Sequence, residues 1–218
     1  MSVGIDAVLD DVFRWGHIEA LLTSIDLSGK PNTAPMGVDR KGLREVELRI
    51  YRDTKTFRNV ALGNRWLVLT LSSDSMDYYA SLMGELEYET IPGWPIPSPV
   101  TRCRYPVLLA RVSSVGNDEP ATVIAEVMDH SFIPNLRSCK QSYSRANAGL
   151  IEALIYLTKI RALSRKQNVE VLCRLLDKLV ENASLALRLG AKELRDAADN
   201  VISLASNELR KAGIRCRD

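Results

Sequence analysis

Histidine occurs only twice in the 218 residues, at His17 and His130, and cysteine four times, at Cys103, Cys139, Cys173 and Cys216. No C-x-x-C pair is present, and the histidines are too far apart for metal-ligand spacing. Neither a zinc site nor a small disulfide scaffold is therefore expected. Four scattered thiols read as reduced cysteines of a cytoplasmic protein. Long apolar runs are also missing. No stretch reaches about 18 apolar residues, so no helical membrane span is expected. The first residues lack a basic segment followed by an apolar run and a small-residue cleavage site, so no secretory leader is expected either. The net charge is only +2, too small to mark a nucleic-acid-binding surface.

What is present changes abruptly near residue 145. All nine prolines precede that point, and of the thirteen aromatic residues only Tyr156 follows it. Residues 1–144 carry 15 basic and 18 acidic side chains, a net of −3, whereas residues 145–218 carry 14 and 9, a net of +5. Two differently built domains follow, 1–144 rich in strands and 145–218 helical. With 46% hydrophobic and 26% charged residues, the chain can bury a full core and has no disordered composition.

Alternation dominates the first domain. Val46, Leu48 and Ile50 alternate with Glu45, Glu47 and Arg49, as in a strand with one buried face. The run from Trp66 to Leu71 is apolar on both faces and suits a central strand. His17 to Ile25, Thr33 to Val38, Val107 to Val115 and Thr122 to Met128 complete a set of about six, joined by turn-forming sequences. Asp39-Arg40-Lys41-Gly42 is one such turn. A short helix from Thr54 to about Leu62 is expected to interrupt the strands, with Gly63 ending it. The fold class is α+β: an antiparallel barrel followed by a small helical domain.

Three helices are expected in the second domain. Ala148 to Leu163 is apolar around most of its circumference and should be buried on several sides. Ser164-Arg165-Lys166-Gln167 has capping-box spacing for the next helix, which Gly190 would end. The last helix carries Leu194, Ala197, Ala198, Val201, Ile202, Ala205 and Leu209 on one stripe.

Two segments suggest a binding site. Thr54 and Thr56 offer hydroxyls, Lys55 a cation, and the helix they open has free backbone N–H groups, a combination suited to a phosphate. The same residues also fit a plain N-cap at Asp53 or Thr54 with a solvated helix behind it. In Asn32-Thr33-Ala34-Pro35-Met36-Gly37, Pro35 removes a ladder donor, so the strand belongs at an edge, a bulge or a ligand. Arg49 and Tyr51 face either a ligand or solvent. Trp94, in the proline-rich stretch 91–99, either covers a pocket or belongs to a connecting loop. No side chain reads as a nucleophile beside its base, and no carboxylate pair has acid–base spacing.

The order Asn-x-Ala-Pro-Met-Gly, a strand, Thr-Lys-Thr-Phe-x-Asn, and finally Ser144-Arg145-Ala146 before a helix with Ile151-Glu152-Ala153-Leu154 resembles the FMN-binding split-barrel superfamily. More narrowly it is similar to an archaeal-type, uncharacterised flavoprotein family within it. Ser144 departs from the asparagine expected there. The resemblance implies an antiparallel split β-barrel that binds FMN. In it, Thr54, Lys55 and Thr56 hold the phosphate, and Asn32, Ala34, Pro35 and Met36 line the isoalloxazine ring. Asn59 would fix the loop, and Arg145 would reach the flavin or its phosphate. It also implies a homodimer. Three functions are open: an FMN-dependent oxidoreductase acting on a small cytoplasmic molecule; a flavin carrier or sensor without turnover; and a scaffold for another phosphorylated ligand such as a deazaflavin. The cofactor would carry the redox chemistry, so a missing side-chain catalyst is no objection.

Overall fold

In the computed structural model, residues 4–13, 16–102, 106–132, 145–166 and 169–216 are described. The strands are β1 (Ile18–Ile25), β2 (Pro31–Arg40), β3 (Glu45–Ile50), β4 (Trp66–Thr70), β5 (Tyr88–Glu89), β6 (Ser98–Pro99), β7 (Pro106–Val115) and β8 (Ala121–Phe132). Six of them close an antiparallel barrel in the order β1-β2-β3-β8-β7-β4, while β5 and β6 pair separately. The alternation in β3 does what it promised: Val46, Leu48 and Ile50 point into the barrel core, together with Ala20, Leu22, Val38, Leu67 and Leu69. β4 is buried on both faces, because Val68 packs outward against Ile96 and Leu109 under the 91–97 loop. Trp94 belongs to that cover and donates its indole N–H to Asp129 Oδ2 at 2.9 Å. The loop reading of 91–99 is the one the packing supports.

Helices pack against the barrel core at opposite turns. The helix α1 (Ile5–Val12) buries Val8 and Leu9 in the core. Its charges meet the β2–β3 connection, with Arg40 Nη1 on Asp10 Oδ1 at 2.6 Å and Arg44 Nε on Asp6 Oδ1 at 2.8 Å. This connection spans residues 41–44, since β2 runs on through Asp39 and Arg40, two residues beyond the expected strand end. The helix α2 (Lys55–Leu62) brings Phe57 and Val60 to the same core and ends at Gly63. A further helix, α3 (Ser75–Met83), follows β4.

The helical unit comprises residues 140–218 together with 74–79, and the remaining residues form the barrel unit. Segment 74–79 is held by Asn147, whose Oδ1 accepts from the Ser75 N–H at 2.8 Å. The helix α4 (Arg145–Leu163) is buried on several sides, with Leu150, Ala153, Leu154, Leu157 and Ile160 all fully enclosed. The helices α5 (Val169–Leu189) and α6 (Lys192–Lys211) both pack on it. Gly149 permits the α4–α5 approach, because a Cβ there would lie 2.6 Å from the Asn182 carbonyl oxygen. Between α4 and α5, Ser164 donates back to the Arg161 carbonyl at 3.1 Å, within a 3-10 turn (Ser164–Lys166), instead of capping the next helix. Gln167, its expected capping-box partner, lies outside the described residues. No helix among the described residues is long and apolar enough to cross a membrane.

One cysteine expectation is corrected. Cys173 in α5 and Cys216, after α6, form a disulfide with Cα atoms 5.3 Å apart. After α6 Ile214 is buried, and its N–H donates to the Leu209 carbonyl at 2.9 Å. Cys103 and Cys139 lie outside the described residues. The bridge closes a separation of 43 residues, which in the chain-entropy account stabilises the helical unit by about 3–4 kcal/mol. Dithiothreitol, or Cys173→Ser, should therefore lower the thermal midpoint of helix loss by several degrees, read by circular dichroism. An unchanged midpoint would show that the bridge does not constrain this unit.

Candidate functional site

β2 is paired unequally on its two sides. It meets β1 from Pro31 to Val38, but β3 only from Val38 to Arg40. Residues 31–37 therefore have one edge without a strand partner among the described residues. Pro31 and Pro35 fit that edge, because a residue without an N–H is tolerated where part of the ladder is absent. Alternation puts Asn32, Ala34 and Met36 on one face, each half-buried, and Thr33 and Pro35 on the other, both buried. On that second face Thr33 Oγ1 lies 2.7 Å from Thr23 Oγ1 and 3.0 Å from the Tyr88 hydroxyl.

The two motif segments meet at one corner of the barrel. Asn32 Nδ2 donates to Thr56 Oγ1 at 3.2 Å, and Asn59 Nδ2 donates to Ser24 Oγ at 3.1 Å. Ser24 is the cross-strand partner of Asn32, while Thr56 and Asn59 lie three residues apart on one face of α2. Both are buried. Hydrogen bonding accounts for their burial, since an amide or hydroxyl taken out of water without a partner is costly. Ser24 had no motif to announce it; the β1–β2 register reveals it.

The hydroxyls at the start of α2 have different duties. Thr54 is the N-cap, accepting from the Phe57 N–H at 3.1 Å and donating to the Tyr51 carbonyl at 2.7 Å. Its single proton is committed. Thr56 accepts from Asn32 in the bond above, and its own proton meets no acceptor among the described residues. Lys55 forms no ion pair among the described residues; its charge acts on Asp26 from a distance. The Asp26 carboxyl is held below its usual range by the Ser28 hydroxyl first, then by the Lys30 N–H, with Lys55 a smaller cause. Arg145 is the exposed first residue of α4, in the helical unit. Ser144 lies outside the described residues.

Other candidates serve the fold. Arg49 Nη1 pairs with Asp118 Oδ2 at 2.6 Å and also donates to Thr122 Oγ1, clasping the β7–β8 turn. Hydrogen bonds from the Thr122 side chain and backbone, with Arg49 nearby, hold Asp118 at a pKa of about 2. Tyr51 gives its carbonyl to the Thr54 cap. His17 lies over Gly37, where an added Cβ would come within 2.7 Å of the imidazole Cε1. Its Nδ1 is 3.0 Å from Asp39 Oδ1 and its Nε2 is 3.5 Å from Glu19 Oε1. Burial alone would lower the imidazole pKa, but the Asp39 hydrogen bond and the two carboxylate charges outweigh it and raise it above 6.5.

Comparisons with known proteins agree with this architecture. A family model described as protein of unknown function (DUF447), N-terminal domain, matches residues 18–133. An FMN-bound protein of Methanosarcina mazei is 18% identical with a TM-score of 0.65, over 86% of this chain and 94% of its own. That likeness shows the split-barrel fold with its helical C-terminal region. Flavoredoxin of Desulfovibrio vulgaris is 15% identical with a TM-score of 0.43, over 55% and 72% of the two chains. A 2-nitrobenzoate 2-nitroreductase of Pseudomonas fluorescens is 12% identical with a TM-score of 0.46, over 61% and 76%. No curated protein matches by sequence.

Because His17 has a raised folded pKa, its ion pairs stabilise the barrel fully below pH 6.5, and that contribution fades as pH rises through the folded value. Gly37→Ala should displace the ring and return its titration to about 6.5, with the pH dependence of stability between pH 6 and 8 flattened. Proton NMR of the imidazole checks this. A titration identical to that of the unaltered protein would contradict the contact.

Proposed function

The chain belongs to the DUF447 family, whose N-terminal domain occupies its residues 18–133, and on that premise we propose that it is an FMN-binding oxidoreductase passing hydride or electrons between the flavin and a small cytoplasmic molecule. The observation that carries the reading is the corner where Asn32 meets Thr56 and Ser24 meets Asn59. It joins the unpaired edge of β2 to the first turn of α2.

The residues present fit the group. Lys55 contributes a cation and Thr56 a hydroxyl proton, neither with an ion pair or acceptor among the described residues, and the first turn of α2 its N–H groups, the donors a phosphate takes. Thr54 supports this by fixing the cap, since its own proton already goes to Tyr51. Asn32, Ala34 and Met36 share the half-buried face of β2. There they would line a planar ring, with Pro35 leaving the edge free of one N–H. Asn59 holds the corner through Ser24. We also propose a homodimer. When bound, FMN supplies two-electron redox chemistry that no side chain here provides. The residues' task is then to hold its phosphate, keep the ring against β2 and exclude water. The protein is proposed to be cytoplasmic, where the Cys173–Cys216 bridge would have to withstand the thiol pool.

Added FMN should bind and lose fluorescence. Lys55→Ala should weaken FMN binding by about tenfold, the scale of one charge-assisted hydrogen bond, and leave riboflavin binding unchanged. Bound flavin should bleach with NADH or NADPH under anaerobic conditions. Unchanged FMN fluorescence on titration would sink the flavin reading. Equal losses for FMN and riboflavin would move the phosphate elsewhere, and bound flavin that no donor reduces would make the protein a carrier.

A further inference from the structure

A cleft of about 480 Å³ opens between α2 and the β1–β2 turn, lined among others by Asp26, Leu27, Lys55, Arg58 and Leu62. Lys55, Arg58 and Leu62 recur at three- and four-residue spacing, so they stand on one face of α2. Neither cation forms an ion pair with a described residue. The acidic side of the cleft is turned inward on its own loop. Asp26 Oδ1 accepts from Ser28 Oγ at 2.6 Å, from the Ser28 N–H at 3.0 Å and from the Lys30 N–H at 3.0 Å. All three bonds fall on one of its two oxygens, and Lys55 acts on the carboxylate from a distance, whereas Arg58 has no ion pair with a described residue. The walls are unusual too. Leu27 and Leu62 are 87% and 73% exposed, large apolar side chains left in water on the same cleft. Two cations beside two uncovered leucines match a ligand with an anionic group and an apolar part.

We propose that this cleft is a nucleotide subsite, in which Arg58 together with Lys55 holds a phosphate monoester and Leu27 and Leu62 lie against the apolar part of the ligand next to that phosphate. The phosphate has two possible sources. One is the phosphate of the flavin itself, and in that case the proposal rests on the flavin reading. The other is a second nucleotide that reaches Lys55 from the turn side. Arg58 lies between Phe57 and Asn59 and is not among the residues that the family resemblance assigns to the flavin.

Arg58 makes no side-chain bond to a described residue, so Arg58→Gln should fold normally. FMN, riboflavin and AMP are titrated into the unaltered protein and this variant at low salt, the AMP with and without bound FMN. A roughly tenfold loss for FMN with riboflavin unchanged would place the flavin's phosphate in the cleft. Unchanged FMN binding with AMP binding weakened roughly tenfold would place a second nucleotide there, and Arg58→Lys should recover part of either loss. If the unaltered protein binds AMP but no FMN, and Arg58→Gln abolishes AMP binding, the flavin reading fails and the subsite stands. An Arg58→Gln protein that binds all three ligands as before overturns the subsite. So does Leu62→Ser that turns a dimer into a monomer while every nucleotide titration stays the same, because the leucines would then belong to a second copy of the chain.

Discussion

Two side-chain amides, Asn32 and Asn59, hold α2 against the β1–β2 hairpin, and the position of every candidate ligand in the barrel unit follows from them. Each amide reaches across to the other element, Asn32 to Thr56 and Asn59 to Ser24. Such bonds contribute only about 1 kcal/mol each in net stability, but a buried partner left alone costs more. Their larger effect is geometric. They fix the rotation of an eight-residue helix about its axis, so that Phe57 and Val60 enter the core while Lys55 and Arg58 stay outside. A helix this short would not hold its place by propensity alone.

The same hairpin carries the second constraint. β2 gives β3 only three residues of pairing before the two strands part. An open strand edge invites association with another chain or a ligand. Prolines at both 31 and 35 reduce the donors on that edge, and α2 stands at one end of it. The barrel is thus closed as a sheet yet has one stretch of backbone whose hydrogen bonds are not spent on its neighbour.

Much of this was legible in the sequence because it is local. The alternation of Val46, Leu48 and Ile50 marked a strand, and Gly63 marked the end of α2. The wholly apolar character of residues 148–163 marked a helix buried on several sides. Thr54 was open between a cap and a phosphate ligand, and its bonds to Tyr51 and Phe57 make it the cap. What escaped was tertiary. The helix α1 has apolar residues at suitable spacing but only eight residues, and its partners Arg40 and Arg44 lie 30 and 38 positions from the aspartates they meet. Ser24 acquires its role only from the β1–β2 register. Cys173 and Cys216 stand 43 residues apart in sequence and are neighbours only in the folded helical unit. Ser164 carried a cap signature, but it lies in a 3-10 turn ahead of α5, where its hydroxyl donates to the Arg161 carbonyl.

The central claim is that the first turn of α2 and the open edge of β2 form one flavin site. Amide hydrogen exchange with and without saturating FMN tests it most directly. The account predicts added protection in residues 31–37 and 54–58, with β7 and β8 unchanged apart from any global stabilisation. Protection confined to other elements, or none in either segment while FMN is demonstrably bound, would contradict it.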